Sequence, residues 1–345
     1  MKSKDLSILV VGAGAVGGIT AVLLKKDGYD VEIVCKYDDY AKLISSQGIE
    51  VNGACGNFTV PMQAYSSIAE IEEKKDIILH ATKANDMFEA AKSIKNILKE
   101  NGIVISMQNG ICVDDLAAIL GKDKVIGCVT GWGATMNSQG NLVMASAGDF
   151  IIGYPEKAPD EYLLSIAEIL SSVVPVKVTD NIIGHLYSKL IINSCITSLG
   201  AICGMYLGKM LSIKKIRRIF IEIIREAVAV ADKMQIKIEV FAGKLDFHKF
   251  LNGNGLFAGF RRHLFLIILG FKYRKLKSSS LQSLERGKLT EIDYLNGYIV
   301  KNGKRSGIPV PVNTAVVDMI HDIEQKKRGI TFNNFDNLVF ERFNN

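Results

Sequence analysis

The sequence lacks the cysteine pairs that mark disulfide-rich or zinc-binding proteins. Its six cysteines form no C-x-x-C pair, and most lie inside apolar runs; they are at positions 35, 55, 112, 128, 195 and 203. This usage predicts reduced, buried thiols in a cytoplasmic protein. The five histidines have no metal-ligand spacing either, so we expect no metal site. The chain also has no internal repeat and no low-complexity linker.

Strong net charge is absent as well. The net charge of +6 over 345 residues suits an anionic small molecule but is too small to predict a nucleic-acid partner. The N-terminal segment has no apolar core of a signal peptide. The most apolar late stretch, residues 256–271, is too short to span a bilayer and is interrupted by Arg261, Arg262 and His263. We therefore favour a packing helix there over a membrane-surface helix, and expect no membrane partner.

The most informative stretch is SILVVGAGAVGG, near the N-terminus. An apolar β-branched run, Ile8 to Val11, leads directly into a G-x-G-x-x-G pattern and then into an apolar helical pattern. Gly12 suits a tight turn, Gly14 lets a pyrophosphate approach the backbone, and Gly17 lets helix and strand pack closely. We predict a dinucleotide site in this loop, formed by residues Gly12, Ala13, Gly14, Ala15, Val16 and Gly17.

The end of the second predicted strand, Val31 to Cys35, indicates which dinucleotide binds. An acidic residue there favours NAD, whereas a basic one accommodates the 2′-phosphate of NADP. Lys36 follows the strand directly, so we favour NADP(H) as the cofactor. Asp38 and Asp39 lie close enough to keep NAD as the alternative.

Strands and helices alternate up to about residue 179, and periodic helices follow. Further strands are predicted at residues 76–81, 103–106, 125–129, 142–145, 150–152 and 176–178, a small hairpin at 48–60, and helices at 84–98 and 160–171. We expect the strands at 142–145 and 150–152 to pair antiparallel. The pattern predicts an α/β Rossmann-type dinucleotide-binding domain at residues 1–179 and an all-α domain at residues 180–345.

Two polar residues follow predicted parallel strands, where the ligand crevice of such a sheet lies. Lys83 comes after one strand and Asn109 after the next. Both have ordinary alternatives, because Lys83 would suit an exposed loop and Asn109-Gly110 is a common turn pair.

A stripe of polar residues interrupts the apolar helix predicted at residues 181–202. Lys189, Asn193 and Thr197 are spaced by four and share one face. A lysine that lines a cleft has a pKa lowered by desolvation and can donate a proton to a carbonyl oxygen. The alternative is a lysine that extends its amine to water beside a capped asparagine. His185 precedes Lys189 by four residues, and we interpret it as structural.

Two segments near the C-terminus have a structural and a functional interpretation. Ser278 to Ser280 resemble a helix start, and Thr290 with Asp293 resembles a capping box. A functional interpretation needs Ser279 and Glu291 to face the ligand, which the sequence leaves open.

Five motifs together resemble the ketopantoate reductase (2-dehydropantoate 2-reductase) family. They cover nearly the whole chain in the family's order: GAGAVGG, TKANDMFEA, MQNG, KLIINSCITSLGAI and KSSSLQSLERGKLTEIDYLNGYIVKNGKRSGIPVPVNTAV. The resemblance implies a Rossmann domain, a helical domain and NADPH-dependent reduction of ketopantoate to pantoate, on the route to pantothenate and coenzyme A.

The resemblance also implies individual roles. Lys189 would be the catalytic lysine that protonates the ketone. Substrate-binding positions would be Asn109, Asn193, Thr197, Ser279 and Glu291. Besides the glycine loop, cofactor-binding positions would be Lys36, Lys83, Asn109 and Glu291.

Three departures from the family pattern leave the substrate open. Thr197 replaces a second asparagine, Ser283 replaces an aspartate, and residues 241–275 form a long apolar and basic insertion. The alternatives to ketopantoate are another 2-oxo acid and a non-catalytic NADP(H) sensor, although a sensor does not need Lys189, Asn193, Ser279 and Glu291 together. We also expect a homodimer through the helical domain, with residues 256–271 as a candidate face.

Overall fold

The computed structural model describes residues 5–338. Its strands are β1 (Ser7–Val11), β2 (Asp30–Val34), β3 (Ile49–Gly53), β4 (Phe58–Val60), β5 (Ala64–Tyr65), β6 (Lys75–His80), β7 (Leu98–Ser106), β8 (Val125–Thr130), β9 (Ala134–Ser138), β10 (Asn141–Met144), β11 (Phe150–Gly153) and β12 (Val176–Val178). Its first five helices are α1 (Ala15–Lys26), α2 (Asp38–Gln47), α3 (Met87–Ile97), α4 (Val113–Leu120) and α5 (Glu161–Leu170).

The remaining helices follow one another without strands. They are α6 (Ile182–Cys203), α7 (Leu207–Ser212), α8 (Lys214–Lys233), α9 (Phe247–Leu251), α10 (Leu256–Lys272), α11 (Ser279–Glu285), α12 (Asn296–Ser306) and α13 (Pro311–Glu324). The predicted fold class, an α/β Rossmann-type domain followed by a helical domain, is confirmed.

The main sheet has eight strands in the order β12-β11-β8-β7-β6-β1-β2-β5. Neighbouring strands run parallel except for β11 against β8, so β11 and β12 run opposite to the other six. The six parallel strands follow the order of a dinucleotide-binding sheet, in which the chain moves outward on one side of β1 and then on the other. The ligand crevice of such a sheet lies at the carboxyl ends of the strands where the direction changes, here β1 and β6.

A second sheet of four strands has the order β4-β3-β10-β9. Strands β3 and β4 form the predicted hairpin. The predicted pairing of residues 142–145 with 150–152 is wrong, because β10 pairs with β9 and β3 whereas β11 belongs to the main sheet. Strand β9 was not predicted, since its half-buried, mostly polar residues show little apolar alternation.

Strand β7 begins at Leu98, earlier than the predicted start at residue 103, and α3 ends just before it. Gly102 lies inside this strand, and a side chain there would lie 2.8 Å from the Leu98 side chain. The first part of β7 was not predicted because its exposed Lys99-Glu100-Asn101 segment contains no apolar residue.

The described residues pack as two compact units, the first ending at Leu186 and the second beginning at Tyr187. The division falls inside α6, a few residues after the predicted boundary. In the first unit, apolar side chains of β1, β2, β6 and β7 are fully buried against α1 and α5. In the second unit, α8 buries one face of isoleucines and alanines, including Ile219, Ile223 and Ala227.

Helix α6 is the one helix of the described residues long and apolar enough to cross a bilayer. In the structure 83% of its apolar window is buried inside the protein, as in the core helix of a globular domain.

Candidate active site

The three glycines of the loop after β1 adopt three different environments. Gly12 has a φ of +115°, which disfavours any residue with a Cβ. A methyl group at Gly17 would lie 2.1 Å from the Gly12 carbonyl oxygen, so helix α1 packs directly on the turn. A methyl group at Gly14 would meet nothing within 4 Å. The predicted roles of turn, open backbone and close packing therefore match the geometry.

The N-terminus of α1 lies at the side of the glycine loop where Gly14 has open space around it. Gly14 is the N-cap residue, no side chain caps the helix, and no acidic residue lies in its first turn. The first N–H groups of a helix have no partner within it and lie at the positive end of the helix dipole. The Tyr40 hydroxyl donates to the Ala13 carbonyl oxygen at 3.1 Å and so fixes the loop from the other side. This arrangement fits a phosphate group.

Lys36 follows β2, where the sequence predicts the residue that distinguishes NADP from NAD. Its side chain is largely exposed and its Nζ lies 2.9 Å from Asp86 Oδ1. The hydrogen bond and the charge of Asp86 raise the pKa of Lys36, so the lysine remains a cation, held by Asp86. Of the two nearby acids, Asp38 is paired with Lys42 at 2.6 Å, and both Asp38 and Asp39 lie in the first turn of α2.

The chain leaves the end of strand β6 directly beside the glycine loop. A Cβ at Gly12 would lie 2.6 Å from the Ala81 carbonyl carbon, and the Ala81 N–H donates to the Val11 carbonyl oxygen at 2.8 Å. Lys83 follows two residues later, half-buried, as the N-cap residue of a short 3₁₀ helix, Ala84–Asp86. The structure thus brings Lys83 to the same edge of the sheet as the predicted phosphate loop.

A buried polar network that the sequence did not predict lies at this edge. Thr82 Oγ1 lies 3.0 Å from His80 Nε2 and accepts a hydrogen bond from Gln108 Nε2 at 3.2 Å. His80 is fully buried, and burial lowers its pKa to about 4. The imidazole is therefore neutral near pH 7. The signal in the sequence was a pair of polar residues at the ends of neighbouring strands, His80-x-Thr82 and Ser106-x-Gln108.

Asn109 follows this network at the end of β7. It is half-buried, and Gly110 after it has a φ of +86°. The turn interpretation of Asn109-Gly110 is therefore correct. Because Gln108 is anchored to Thr82 beside Lys83, the turn also holds Asn109 at the carboxyl edge of the sheet.

The polar stripe of α6, which begins at His185 just before the division between the two units, lies on the accessible face of an otherwise buried helix. His185, Lys189 and Asn193 are half-buried, whereas their neighbours Leu186, Leu190 and Ser194 are buried. Thr197 differs from the stripe, since it is buried and its hydroxyl donates to the Asn193 carbonyl oxygen at 2.7 Å.

Two contacts attach the other predicted residues to α6. A Cβ at Gly200 would lie 2.8 Å from Ser278 Oγ, so the start of α11 packs against the helix. Ser278 caps α11 by accepting from the Leu281 N–H at 3.1 Å, and Ser279 in the first turn is exposed. The capping interpretation of the serine cluster is thus correct, and Ser279 is held near the end of the stripe.

Glu291 is attached through the start of α12. It is half-buried and directly precedes a 3₁₀ turn, Ile292–Tyr294. Thr290 Oγ1 accepts from the Ile292 N–H at 3.2 Å. The predicted capping box of Thr290 and Asp293 is wrong, because Glu291 is the N-cap residue and the Thr290 N–H donates to Glu324 Oε1 at 2.7 Å. Asn296, at the end of this segment, donates to the Ser194 carbonyl oxygen at 3.1 Å. The segments that carry Ser279 and Glu291 are therefore attached to α6, through Ser278 at Gly200 and through Asn296 at Ser194.

A second buried network, which the sequence did not predict, holds this arrangement. Asn296 Nδ2 donates to Asn313 Oδ1 at 2.9 Å, and Asn313 Nδ2 donates to Glu226 Oε2 at 2.7 Å. Glu226 also accepts from the Val312 and Asn313 N–H groups at 2.8 and 2.9 Å. Burial raises the pKa of Glu226 although these bonds oppose the shift. The network links α6, α12, α13 and α8.

The described residues contain no group of three or more His, Cys, Asp or Glu side chains placed to hold a metal ion. The polar groups described above are instead hydrogen-bond donors, acceptors and cations. Such a set suits the binding of phosphates and of a small oxyanion, and the orientation of a carbonyl group.

Comparison with known proteins adds the family context. Residues 8–157 match the family model "Ketopantoate reductase PanE/ApbA", and residues 181–324 match the model of its C-terminal domain. Among curated proteins, the chain is 29% identical over 316 residues to a 2-dehydropantoate 2-reductase of Pyrococcus abyssi, covering 91% of this chain and 97% of that protein. It is 26% identical over 319 residues to the 2-dehydropantoate 2-reductase of Aquifex aeolicus, covering 91% and 96%.

Solved structures share the fold over almost the whole chain. A PanE/ApbA family ketopantoate reductase from Ralstonia eutropha superposes with a TM-score of 0.80 at 26% identity, covering 94% of this chain and 100% of that one. A D-mandelate dehydrogenase in complex with NADH and anilino(oxo)acetate also gives a TM-score of 0.80, at 21% identity, covering 93% and 99%.

Proposed function

Since the chain belongs to the ketopantoate reductase family, we propose that it reduces 2-dehydropantoate (ketopantoate) to pantoate with NADPH, a step toward pantothenate and coenzyme A. The observation that carries the proposal is that the segments with Ser279 and Glu291 are attached to α6, the helix that carries Lys189 and Asn193. A cofactor-binding sensor needs the glycine loop of the first unit but not these four residues.

The first unit's residues would hold the cofactor. The open backbone at Gly14 and the uncapped start of α1 suit the pyrophosphate, and Lys36 suits the 2′-phosphate of NADP. Lys83 and Asn109 are proposed as further cofactor contacts. The fold alone does not choose between NADPH and NADH, since the D-mandelate dehydrogenase of the same fold binds NADH. Our choice of NADPH rests on Lys36.

The second unit's residues would orient and protonate the substrate. NADPH, when bound, supplies a hydride to the ketone carbon. Lys189 Nζ would donate a proton to the ketone oxygen, so that the carbonyl becomes an alcohol and the lysine is left neutral. Asn193 and Thr197 would contact the substrate, Ser279 would donate to its carboxylate, and Glu291 would accept from its hydroxyl. Thr197 is limited in this role because its hydroxyl proton is already given to Asn193.

Another 2-oxo acid is the alternative substrate. Thr197 and the 241–275 insertion depart from the family pattern, and a D-mandelate dehydrogenase has the same fold.

The all-thiol state of the six cysteines favours a reducing compartment, and we propose the cytoplasm.

A substrate panel tests the proposal. Oxidation of NADPH and of NADH is followed with ketopantoate and with a series of branched, linear and aromatic 2-oxo acids. We expect the highest kcat/KM with ketopantoate and NADPH. A higher kcat/KM with a different acid would favour the alternative, and NADPH binding without turnover of any acid would contradict an enzymatic function.

A further inference from the structure

Lys36 and Asp86 form an ion pair between two segments of the first unit that reach the same edge of the main sheet. Strand β1 lies between β2 and β6, and its Val11 is in register with Val34 on one side and His80 on the other. Lys36 follows β2, Asp86 follows β6, and Lys36 Nζ lies 2.9 Å from Asp86 Oδ1. The pair therefore joins the segments on either side of β1, at the strand end where the glycine loop begins.

The glycine loop contacts both of these segments. The Gly12 N–H donates to the Val34 carbonyl oxygen at 2.9 Å, and a Cβ at Gly12 would lie 2.6 Å from the Ala81 carbonyl carbon. When a dinucleotide binds its pyrophosphate at such a loop, its adenosine ribose lies over the end of the second strand. The ion pair is therefore close to the place where sheets of this order bind the adenosine ribose.

The local backbone does not need the carboxylate of Asp86. Asp86 is the N-cap residue of α3, but its side chain accepts no capping hydrogen bond. The Asp86 N–H donates to the Lys83 carbonyl oxygen at 3.0 Å, a bond that any residue except proline can make. The side chain is 40% exposed, and an ion pair with this exposure adds little to stability. The carboxylate therefore acts mainly on Lys36.

A 2′-phosphate and the Asp86 carboxylate compete for the same ammonium group. Two oxygen atoms bound to one ammonium lie roughly 4.7 Å apart, a separation at which like charges repel each other even in water. The charge of Glu89, in the first turn of α3, also raises the pKa of Lys36, though less than Asp86 does. A phosphate at Lys36 therefore has to displace Asp86 or bind against its charge.

A ribose without the phosphate has the opposite requirement. In sheets that bind NAD, an acidic residue near the end of the second strand accepts a hydrogen bond from the ribose 2′-hydroxyl. Strand β2 ends at Val34 and is followed by Cys35 and Lys36, none of which has a carboxylate. Asp38 comes next but is paired with Lys42. Asp86 supplies a carboxylate at this place from the β6 side.

We propose that Asp86 is a specificity-determining residue that limits the preference of this chain for NADPH over NADH. Toward NADPH it competes with the 2′-phosphate for Lys36, and toward NADH it accepts a hydrogen bond from the ribose 2′-hydroxyl. The chain therefore binds both cofactors, and it prefers NADPH by less than Lys36 alone would give. This inference rests on the cofactor site of the proposed function and is independent of the substrate.

Asp86→Asn tests the proposal by direct binding, since the side chain keeps its size and loses its charge. We expect the NADPH Kd to fall roughly tenfold, because the competing carboxylate and its repulsion are removed. The NADH Kd should rise roughly threefold, because a neutral amide oxygen is a weaker acceptor than a carboxylate. Fluorescence titration with each cofactor measures both constants. A loss of stability alone would not move the two constants in opposite directions.

Glu156→Gln is the matched control. Glu156 is exposed and paired with Lys122 at 2.8 Å, so this change removes the same charge from a similar ion pair. Lys122 directly precedes β8, so this pair lies at the opposite end of the parallel strands from the glycine loop. The control should leave both constants unchanged, and circular dichroism verifies that each variant is folded.

Three results would overturn the role of Asp86. Weaker NADPH binding by Asp86→Asn would indicate that the carboxylate holds Lys36 in place for the phosphate, and unchanged NADPH binding would exclude competition. Unchanged NADH binding would exclude the ribose contact. In each of these cases Lys36→Ala still weakens NADPH binding. Failure of the proposed cofactor site gives a different pattern, because Lys36→Ala then binds NADPH as the wild type does, and the inference falls with it.

Discussion

Gly17 lies so close to Gly12 that a single methyl group at residue 17 would come within 2.1 Å of the Gly12 carbonyl oxygen. Two residues of one loop thus fix where α1 begins relative to the strand before it. Gly14 lies between them with open space around its Cα hydrogens. The fold needs the outer two glycines for packing and backbone conformation, whereas the middle one is free for a ligand.

Alanine substitutions should separate these two needs. Gly17→Ala forces α1 away from the turn and should destabilise the protein by about 3 kcal/mol, the cost of strong overpacking. Gly14→Ala should change the unfolding free energy by less than about 1 kcal/mol, because its φ of −71° suits alanine, yet weaken NADPH binding. Urea unfolding and NADPH fluorescence titration measure the two effects. A Gly14→Ala variant with unchanged affinity would argue against phosphate binding at this loop.

Lys36 should determine the preference between NADPH and NADH. Lys36→Ala removes a charged hydrogen bond and should weaken NADPH binding on the order of tenfold while leaving NADH binding unchanged. The matched control is Lys42→Ala, an exposed lysine also paired with an aspartate. Equal losses for both cofactors, or an equal loss in the control, would exclude Lys36 as the 2′-phosphate contact.

His80 should make stability depend on pH below neutrality. Burial lowers its pKa from 6.5 to about 4, so the unfolded chain protonates this histidine at a higher pH than the folded chain does. The stabilisation is complete above pH 6.5 and is lost as the pH falls toward 4, by about 3 kcal/mol in total.

His80→Gln removes the titrating group but keeps a polar side chain beside Thr82. The difference in unfolding free energy between wild type and this variant should therefore shrink or reverse as the pH falls from 6.5 to 4. Denaturant unfolding at a series of pH values measures it. A difference that stays constant over this range would contradict a neutral, buried His80.

Glu226 should be a structural residue of the second unit rather than a catalytic one. Glu226→Ala leaves the Val312 and Asn313 N–H groups and the Asn313 amide without their acceptor, and should cost roughly 3 kcal/mol of stability. The exposed Glu285→Ala on α11 is a suitable control and should cost far less. A Glu226→Ala variant as stable as wild type would indicate that this network does not hold α13 to α8.

The sequence predicted the parts of the fold that depend on local pattern. The apolar run into Gly12 and the four-residue spacing of Lys189 and Asn193 depend on neighbouring residues only, so both could be predicted. The partner of β10 and the boundary inside α6 depend on contacts between distant residues. Strand β9, half-buried and mostly polar, had no apolar alternation to reveal it.

In the candidate site, too, features that depend on local spacing could be predicted and features that depend on distant contacts could not. The glycine loop and the stripe follow from spacing, and Ser279 and Glu291 were identified through a resemblance rather than a pattern. The networks around His80 and Glu226 join residues far apart in the sequence, for example Asn313 and Glu226, so nothing local predicted them. For residues 256–271 the sequence indicated a candidate interaction face but not which side of α10 is exposed, because both of its sides are apolar.

The central claim is that Lys189 protonates the ketone in an NADPH-dependent reduction, and the steady-state kinetics of Lys189→Ala with ketopantoate test it most directly. Loss of a general acid should lower kcat by roughly 10²–10⁴ while the NADPH dissociation constant stays within about twofold of wild type, since the proposed cofactor-binding residues of the first unit are unchanged. That result would establish both the substrate and the acid. A Lys189→Ala variant that retains wild-type kcat with ketopantoate would contradict the account.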